Sequence, residues 1–202
     1  MKKAIFLDRD GTLNPDSSYI NKPEDFNFYP FVIPALKLLK KNGYLLILIS
    51  NQSGVGRGII SIQDIADITG KLQNLLKPHD INVDDFFYCY YFEKSENPEY
   101  RKNPEDRKPE PGMILKAARK HNISLKDSYM IGDRLTDISA GKKAGCQTIL
   151  VKTGDGRISC SEINSCASNV PDYIFDNILK AAEFICGENS KYNNRGTEFI
   201  CG

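Results

Sequence analysis

The chain is expected to form an α/β domain: a doubly wound, Rossmann-like parallel sheet with helices on both faces and no large cap. Three observations predict it. Short apolar runs alternate with segments of helical periodicity along most of the chain, the pattern of repeated strand–helix units. Tyr44–Ile49 (YLLILI) is apolar at nearly every position, as suits a strand covered on both faces. Between Ser50 and Asp133 the only irregular insert is one charged, proline-containing loop, Glu93–Pro109.

Taken in order, Ala4–Leu7 reads as a buried strand ending at Asp8. Val32–Lys41 has helical periodicity, stopped by Asn42-Gly43. Tyr44–Ile49 is the next strand. Ser61 is placed as an N-cap, after which Ile62, Ile65, Ile68, Leu72 and Leu75 recur at helical spacing until Pro78. Phe86–Phe92 is aromatic-rich and strand-like. Pro111 fits a first helical position, with the helix running to about His121-Asn122. Ser128–Ile131, Thr148–Val151 and Tyr173–Phe175 are further strands. Helices are expected at Thr136–Ala144, closed by Gly145, and at Asn177–Ile185. The organisation predicted is one domain over residues 1–186 and a weakly ordered tail over 187–202, where Glu183–Gly187 is echoed by Glu198–Gly202.

Composition narrows the function. With 27 Lys+Arg against 26 Asp+Glu and a net charge of +1, the chain lacks the strong positive field of a nucleic-acid coat or membrane-surface protein. No apolar run approaches the ~18–20 residues of a membrane span, and Ala4–Leu7 is too short for the core of an export signal. The six cysteines form no Cys-x-x-Cys pair. Reduced thiols in a cytoplasmic protein are therefore expected.

Ligands of parallel sheets bind beyond the carboxyl ends of the strands, and four polar constellations fall in suitable places. Asp8-Arg9-Asp10-Gly11-Thr12 follows the first strand. Its two carboxylates point the same way in extended chain, so a cation or a shared proton must stabilise them. The alternative is a polar turn. Ser50-Asn51-Gln52-Ser53-Gly54-Val55-Gly56-Arg57-Gly58 follows the most apolar strand and offers hydroxyl, amide and backbone donors for phosphate oxygens, with Arg57 as a fork for an anion. Arg107-Lys108-Pro109-Glu110-Pro111-Gly112 sets adjacent cations before a helix start, a stiff anion site or a solvated charge pair. Gly132-Asp133-Arg134-Leu135-Thr136-Asp137 places a third acid after a strand, with Asp137 one helical turn on, facing the same site or capping the helix. Residue pattern alone leaves open whether Asp8 or Asp10 is the nucleophile.

This order resembles the haloacid-dehalogenase-like superfamily of aspartate-nucleophile phosphatases. Asp8–Thr12 is similar to its first motif, Ser50 to its second, Lys108 to its third and Gly132-Asp133 to its fourth. The strings from Asn14 to Tyr19, Lys22 to Phe26, Ser50 to Gly54 and Arg107 to Met113 are similar to the D-glycero-D-manno-heptose 1,7-bisphosphate 7-phosphatase and histidinol-phosphatase families.

The resemblance implies roles. Asp8 would attack phosphorus, and Asp10 would protonate the leaving alcohol and then activate water. Mg²⁺ would sit between Asp8, the Asp10 carbonyl and Asp133. Ser50 and Lys108 would hold the transferring oxygens. Arg107, with Asp16, Ser17, Ser18, Tyr19, Asn51, Gln52 and Ser53, would recognise the sugar and its second phosphate, bordered by Arg134. The implied partner is a small phosphorylated sugar, acted on by a monomer, with no nucleic acid or membrane involved. Histidinol phosphate, a nucleic-acid 3′-phosphate and a receiver-like phosphoacceptor domain are the rivals.

One departure stands out. Close members of these families carry a zinc-holding loop, a Cys-x-His pair with a later Cys-x-Cys before the Arg-Lys-Pro string. Here Cys89 remains, Tyr91 replaces the histidine, and the later pair reads Pro104-Glu105-Asp106. Four ligands cannot be assembled from these, so no structural zinc is expected. The aromatic residues Tyr88, Tyr90, Tyr91 and Phe92, with Pro98 and Pro104, are expected to shape the loop instead.

Overall fold

In the computed structural model, residues 1–16, 19–163 and 169–187 are described. The elements follow one another as β1 (Ala4–Leu7), α1 (Val32–Lys41), β2 (Leu45–Asn51), α2 (Ser53–Gly56), α3 (Ile62–Leu76), β3 (Asp85–Cys89), α4 (Gly112–His121), β4 (Tyr129–Gly132), α5 (Leu135–Ala144), β5 (Gln147–Val151), α6 (Gly156–Ser161), β6 (Tyr173–Phe175) and α7 (Ile178–Ile185). Six parallel strands form one sheet in the order β3-β2-β1-β4-β5-β6.

Side-chain alternation explains the two covered faces. Ile5 and Leu7 of β1 pack with residues of α1, α3 and α7, while Ala4 and Phe6 pack with residues of α4 and α5. A strand flanked this way must be apolar throughout, and all four residues of β1 are fully buried. Local signals fix the helix ends. The Ser61 hydroxyl accepts from the Asp64 N–H while the Asp64 carboxylate accepts from the Ser61 N–H, closing the start of α3. The Asn177 side-chain oxygen accepts from the Leu179 and Lys180 N–H groups to cap α7, and Gly145, at φ +86°, ends α5.

Differences from the sequence reading have identifiable causes. β3 ends at Cys89 rather than Phe92 because the chain turns off the sheet edge. Tyr90 stacks on Tyr88 and meets Tyr100 edge-on, and the Phe92 N–H donates to the Tyr100 carbonyl. The expected glycine-rich loop after β2 contains the one-turn helix α2, and α6 was not expected at all. Glu93–Pro109 is irregular apart from two 3₁₀ turns, Pro98–Arg101 and Pro104–Asp106, so no large cap is present among the described residues. Cys89, Cys146 and Cys160 are free thiols. Cys166, Cys201 and the tail beyond residue 187 lie outside the described residues. No described helix is long and apolar enough to cross a membrane.

Candidate active site

From β1 the chain winds outward through β2 and β3 to one edge, then returns to β4 beside β1 and winds to the other. The reversal between β1 and β4 is where such sheets open a crevice. Asp8 leaves β1 there, its N–H still bonded to the Ile131 carbonyl of β4. Asp133 leaves β4 next to it. An open cleft of about 260 Å³ is lined by Asp8, Asp10, Asp16, Tyr19, Ser50, Asn51, Gln52, Ser53, Arg107, Lys108, Arg134, Thr136 and Asp137.

Beyond Asp8 the chain folds into a tight turn, with the Arg9 carbonyl accepting the Leu13 N–H at 2.8 Å and Gly11 at φ +84°. Glycine is needed at position 11. A Cβ there would stand 2.1 Å from Asp133 Oδ2, so the bare backbone lets the two loops close on each other. The Asp133 carboxylate is oriented by the Asp155 N–H at 2.8 Å and the Thr12 hydroxyl at 3.3 Å.

Lys108 reaches 100 positions back in the chain to the nucleophile candidate. Its ammonium donates to Asp8 Oδ1 at 2.5 Å, Asp137 Oδ1 at 2.6 Å and the Ile49 carbonyl at 2.9 Å. Its loop is clamped by Asn51, whose side-chain amide both donates to the Lys108 carbonyl and accepts from the Lys108 N–H. Asn51, expected to recognise sugar, spends its polar atoms on the backbone of the lysine loop.

Asp10 has a different environment. Its Oδ1 accepts from Arg9 Nε at 3.0 Å and Asn14 Nδ2 at 3.0 Å; its Oδ2 accepts from Arg9 Nη2 at 2.8 Å and Gln52 Nε2 at 2.8 Å. Gln52 Nε2 also donates to Ser50 Oγ at 2.9 Å, which leaves the serine proton free for a ligand in the cleft. Burial opposes the charge on Asp10, yet these donors hold its carboxyl below the usual carboxylate range. Burial pushes Asp8 the other way, up to about 7, with Asp137 adding repulsion and Lys108 opposing the rise. Burial, with Asp8 and Asp137 repulsion, pushes Asp133 up to about 8. Lys108 stays charged above its ordinary range, because Asp137 and Asp8 outweigh its burial.

Asp8, Asp133 and Asp137 are all buried and can bring one carboxylate oxygen each within 4.8 Å of the others. When all three carboxylates are ionised, the one ammonium leaves a double negative charge uncompensated among them. Hard oxygen ligands carrying that charge fit a divalent cation such as Mg²⁺.

The remaining expected residues divide clearly. Arg107 lines the cleft and donates to the Tyr91 carbonyl at 3.3 Å, with no carboxylate among the described residues pairing with it. Arg134 lines the cleft too, but its Nη2 is engaged by Asp16 at 2.6 Å and Asp155 at 2.9 Å. Tyr19 and Ser53 border the opening. Arg57 lies outside the cleft lining and stacks its guanidinium 4.1 Å over the Phe92 ring. Ser17 and Ser18 lie outside the described residues. Arg9 and Asn14 were missed by sequence reasoning, and Asp137 was noted there without being assigned to the site. The parity that put Asp8 and Asp10 on one side aimed Arg9 away from them, but the turn brings it back.

A HAD-hydrolase-like family model matches residues 106–181. The D-glycero-beta-D-manno-heptose-1,7-bisphosphate 7-phosphatase of Pasteurella multocida is 39% identical over 180 residues, covering 86% of this chain and 97% of its own. The chain belongs to this phosphatase family. A relative from Photorhabdus laumondii, named for the alpha anomer of the same bisphosphate, is 40% identical over 153 residues, 75% of this chain and 84% of its own. The D,D-heptose 1,7-bisphosphate phosphatase of B. bronchiseptica, solved with magnesium and phosphate, superposes with a TM-score of 0.80 at 29% identity, covering 93% of this chain and 99% of that one. As a member of the family the chain is a phosphatase, a hydrolase of phosphoric monoesters of the haloacid-dehalogenase-like type.

Proposed function

We propose that the chain removes the 7-phosphate of D-glycero-D-manno-heptose 1,7-bisphosphate, in the formation of nucleotide-activated heptose. Identity of 39% and 37% over 180 residues to phosphatases named for that bisphosphate carries the reading. The site chemistry agrees with it. Asp8 Oδ attacks phosphorus as the bond from phosphorus to the C7 oxygen breaks, and the leaving oxygen takes a proton from Asp10, which takes that proton up from solvent before the step because its resting form is the carboxylate. The Asp10 carboxylate then takes a proton from the water that attacks the aspartyl-phosphate, returning Asp8 and releasing phosphate. Ser50, with its hydroxyl proton free, donates to a phosphoryl oxygen, and the Lys108 ammonium offsets charge beside Asp8. Asp8 and Asp133, with the Asp10 carbonyl, would hold Mg²⁺, which supplies further neutralisation of the phosphoryl oxygens. Arg107, free of carboxylates, takes the second phosphate. Four carboxylates against three cations in the cleft lining suit a small ester better than a nucleic-acid backbone. The enzyme acts as a cytoplasmic monomer, as a single domain ending near residue 186.

The loop that carries Arg107 and Lys108 works without zinc. Lys116 of α4 pairs with Asp106, and upstream Tyr88, Tyr90 and Tyr100 pack on one another and against Val55, Ile60 and Ile65. Steady-state kinetics on both heptose 1,7-bisphosphate anomers and on histidinol phosphate test the substrate. A kcat/KM for histidinol phosphate above both anomers would reassign it.

A further inference from the structure

We infer that Arg9 is a positioning residue, a buried fork that fixes the Asp10 carboxyl for proton exchange with the leaving oxygen. The inference rests on the phosphatase reading of the site. Arg9 is 1% exposed and is the largest of the fully buried side chains. A guanidinium is costly to bury, and hydrophobic replacements of buried ion pairs are often at least as stable. Fold stability alone is therefore a weak reason for its presence.

Geometry gives a stronger reason. Nε and Nη2 meet the two Asp10 oxygens at 3.0 and 2.8 Å, the parallel two-point contact that fixes a carboxylate in its plane. Among the described residues Nη1 is buried without a hydrogen-bond partner, so the group is not placed to satisfy all of its own donors. Arg9 does not line the cleft, whereas Asp10, Gln52 and Ser50 do. It therefore acts on substrate only through Asp10. All four lone-pair directions of Asp10 are occupied, two by Arg9 and one each by Asn14 and Gln52. These contacts are those of the ionised carboxylate, so to serve the leaving oxygen Asp10 must first free one of them and take up a proton there. Gln52 is neutral and faces the cleft with Asp10, so its bond is the one that yields. Arg9, enclosed by the core, keeps the carboxyl aimed while that happens.

The test exploits the leaving group. A sugar alcohol is a poor leaving group and needs the acid, while p-nitrophenolate leaves with little help. The variants are Arg9→Met, which removes the fork, and Arg9→Lys, which keeps the charge but not the two-point contact. Their kcat and KM are measured on D-glycero-D-manno-heptose 1,7-bisphosphate as the sugar ester and on p-nitrophenyl phosphate, with circular dichroism to check folding. In Arg9→Met, kcat on the sugar ester is expected to fall about 100-fold or more and on the aryl ester about tenfold or less, since a positioned acid is worth ~10²–10⁴. KM should change little on either, and Arg9→Lys should show the same skew, smaller. Equal losses on both esters, or a loss confined to KM, would overturn the inference. If Arg9→Met does not fold, Arg9→Lys decides: a sugar-to-aryl ratio equal to that of the wild type overturns it. Failure of the phosphatase reading looks different, because the wild type itself would then hydrolyse neither ester.

Discussion

The Lys108 ammonium lies between two buried carboxylates, 2.5 Å from Asp8 Oδ1 and 2.6 Å from Asp137 Oδ1. One cation thereby restrains the proposed nucleophile, at the end of β1, and an acid in the first turn of α5. Lys108→Met would leave two carboxylates buried without their counter-charge. Removing one partner of a buried pair costs about 3–5 kcal/mol. Urea unfolding should show a loss of that order, and kcat should drop at least ~100-fold. Unchanged stability with unchanged kcat would contradict the role given to this pair.

Asp8→Asn should abolish turnover and keep the fold, because the amide has the same shape but cannot attack phosphorus. Asp10→Asn should lose ~10²–10⁴ in kcat on a sugar phosphate. Normal turnover by the Asp8 variant in a steady-state assay would remove it as nucleophile.

The pKa directions give a metal-linked stability prediction. Asp8 and Asp133, raised to about 7 and about 8 by burial, bind protons in the folded state over a range where the unfolded chain has released them. Their contribution to stability is complete below about pH 4 and is lost as pH rises through 7 to 8. A divalent cation competes with those protons. The increase in Tm on adding Mg²⁺ to chelator-treated enzyme should therefore be larger at pH 8 than at pH 5. An increase that is equal at both pH values, or absent, would contradict the acidic metal site.

Gly11→Ala tests the contact between the two loops. The new Cβ would strike Asp133 Oδ2 and would sit at φ +84°, so Mg²⁺ affinity should fall, with ~1–2 kcal/mol of backbone strain added. Calorimetric titration with Mg²⁺ measures the first effect, and wild-type affinity would refute it.

Arg107→Ala should raise KM for the 1,7-bisphosphate about 10- to 100-fold, the worth of a charged hydrogen bond, and raise it far less for a heptose 7-phosphate. Equal changes on the two esters would remove Arg107 from the second-phosphate site. Metal analysis of the purified protein should also find no stoichiometric zinc. Zinc bound through Cys89 would contradict the ligand count.

Most of the sheet was legible because buried parallel strands write themselves as apolar runs, as Tyr44–Ile49 does. Helix α3 was legible through Ser61 and the 3.6-residue spacing of Ile65, Ile68 and Leu72. The end of β3 was not, because Tyr90 and Phe92 suit a strand as well as the contacts that draw them away, Tyr90 with the Tyr100 ring and Phe92 with the Tyr100 carbonyl and the Arg57 guanidinium. In the site, Asp8, Asp10 and Asp133 stood out because acids directly follow strands. Asn51 stood out as a site residue but its clamp on the Lys108 backbone did not, and Arg9 did not stand out at all, since the Lys108 backbone and the turned-back Asp10 are reached by loop paths that spacing does not encode. Arg57 illustrates the converse: a cation in a glycine-rich string is drawn to the Phe92 ring.

The most direct test is ³¹P NMR of heptose 1,7-bisphosphate incubated with the enzyme and Mg²⁺. The expected spectrum loses the C7 phosphate resonance, gains inorganic phosphate and keeps the C1 phosphate. Retention of both ester resonances, or loss of the C1 phosphate instead, would contradict the proposed function.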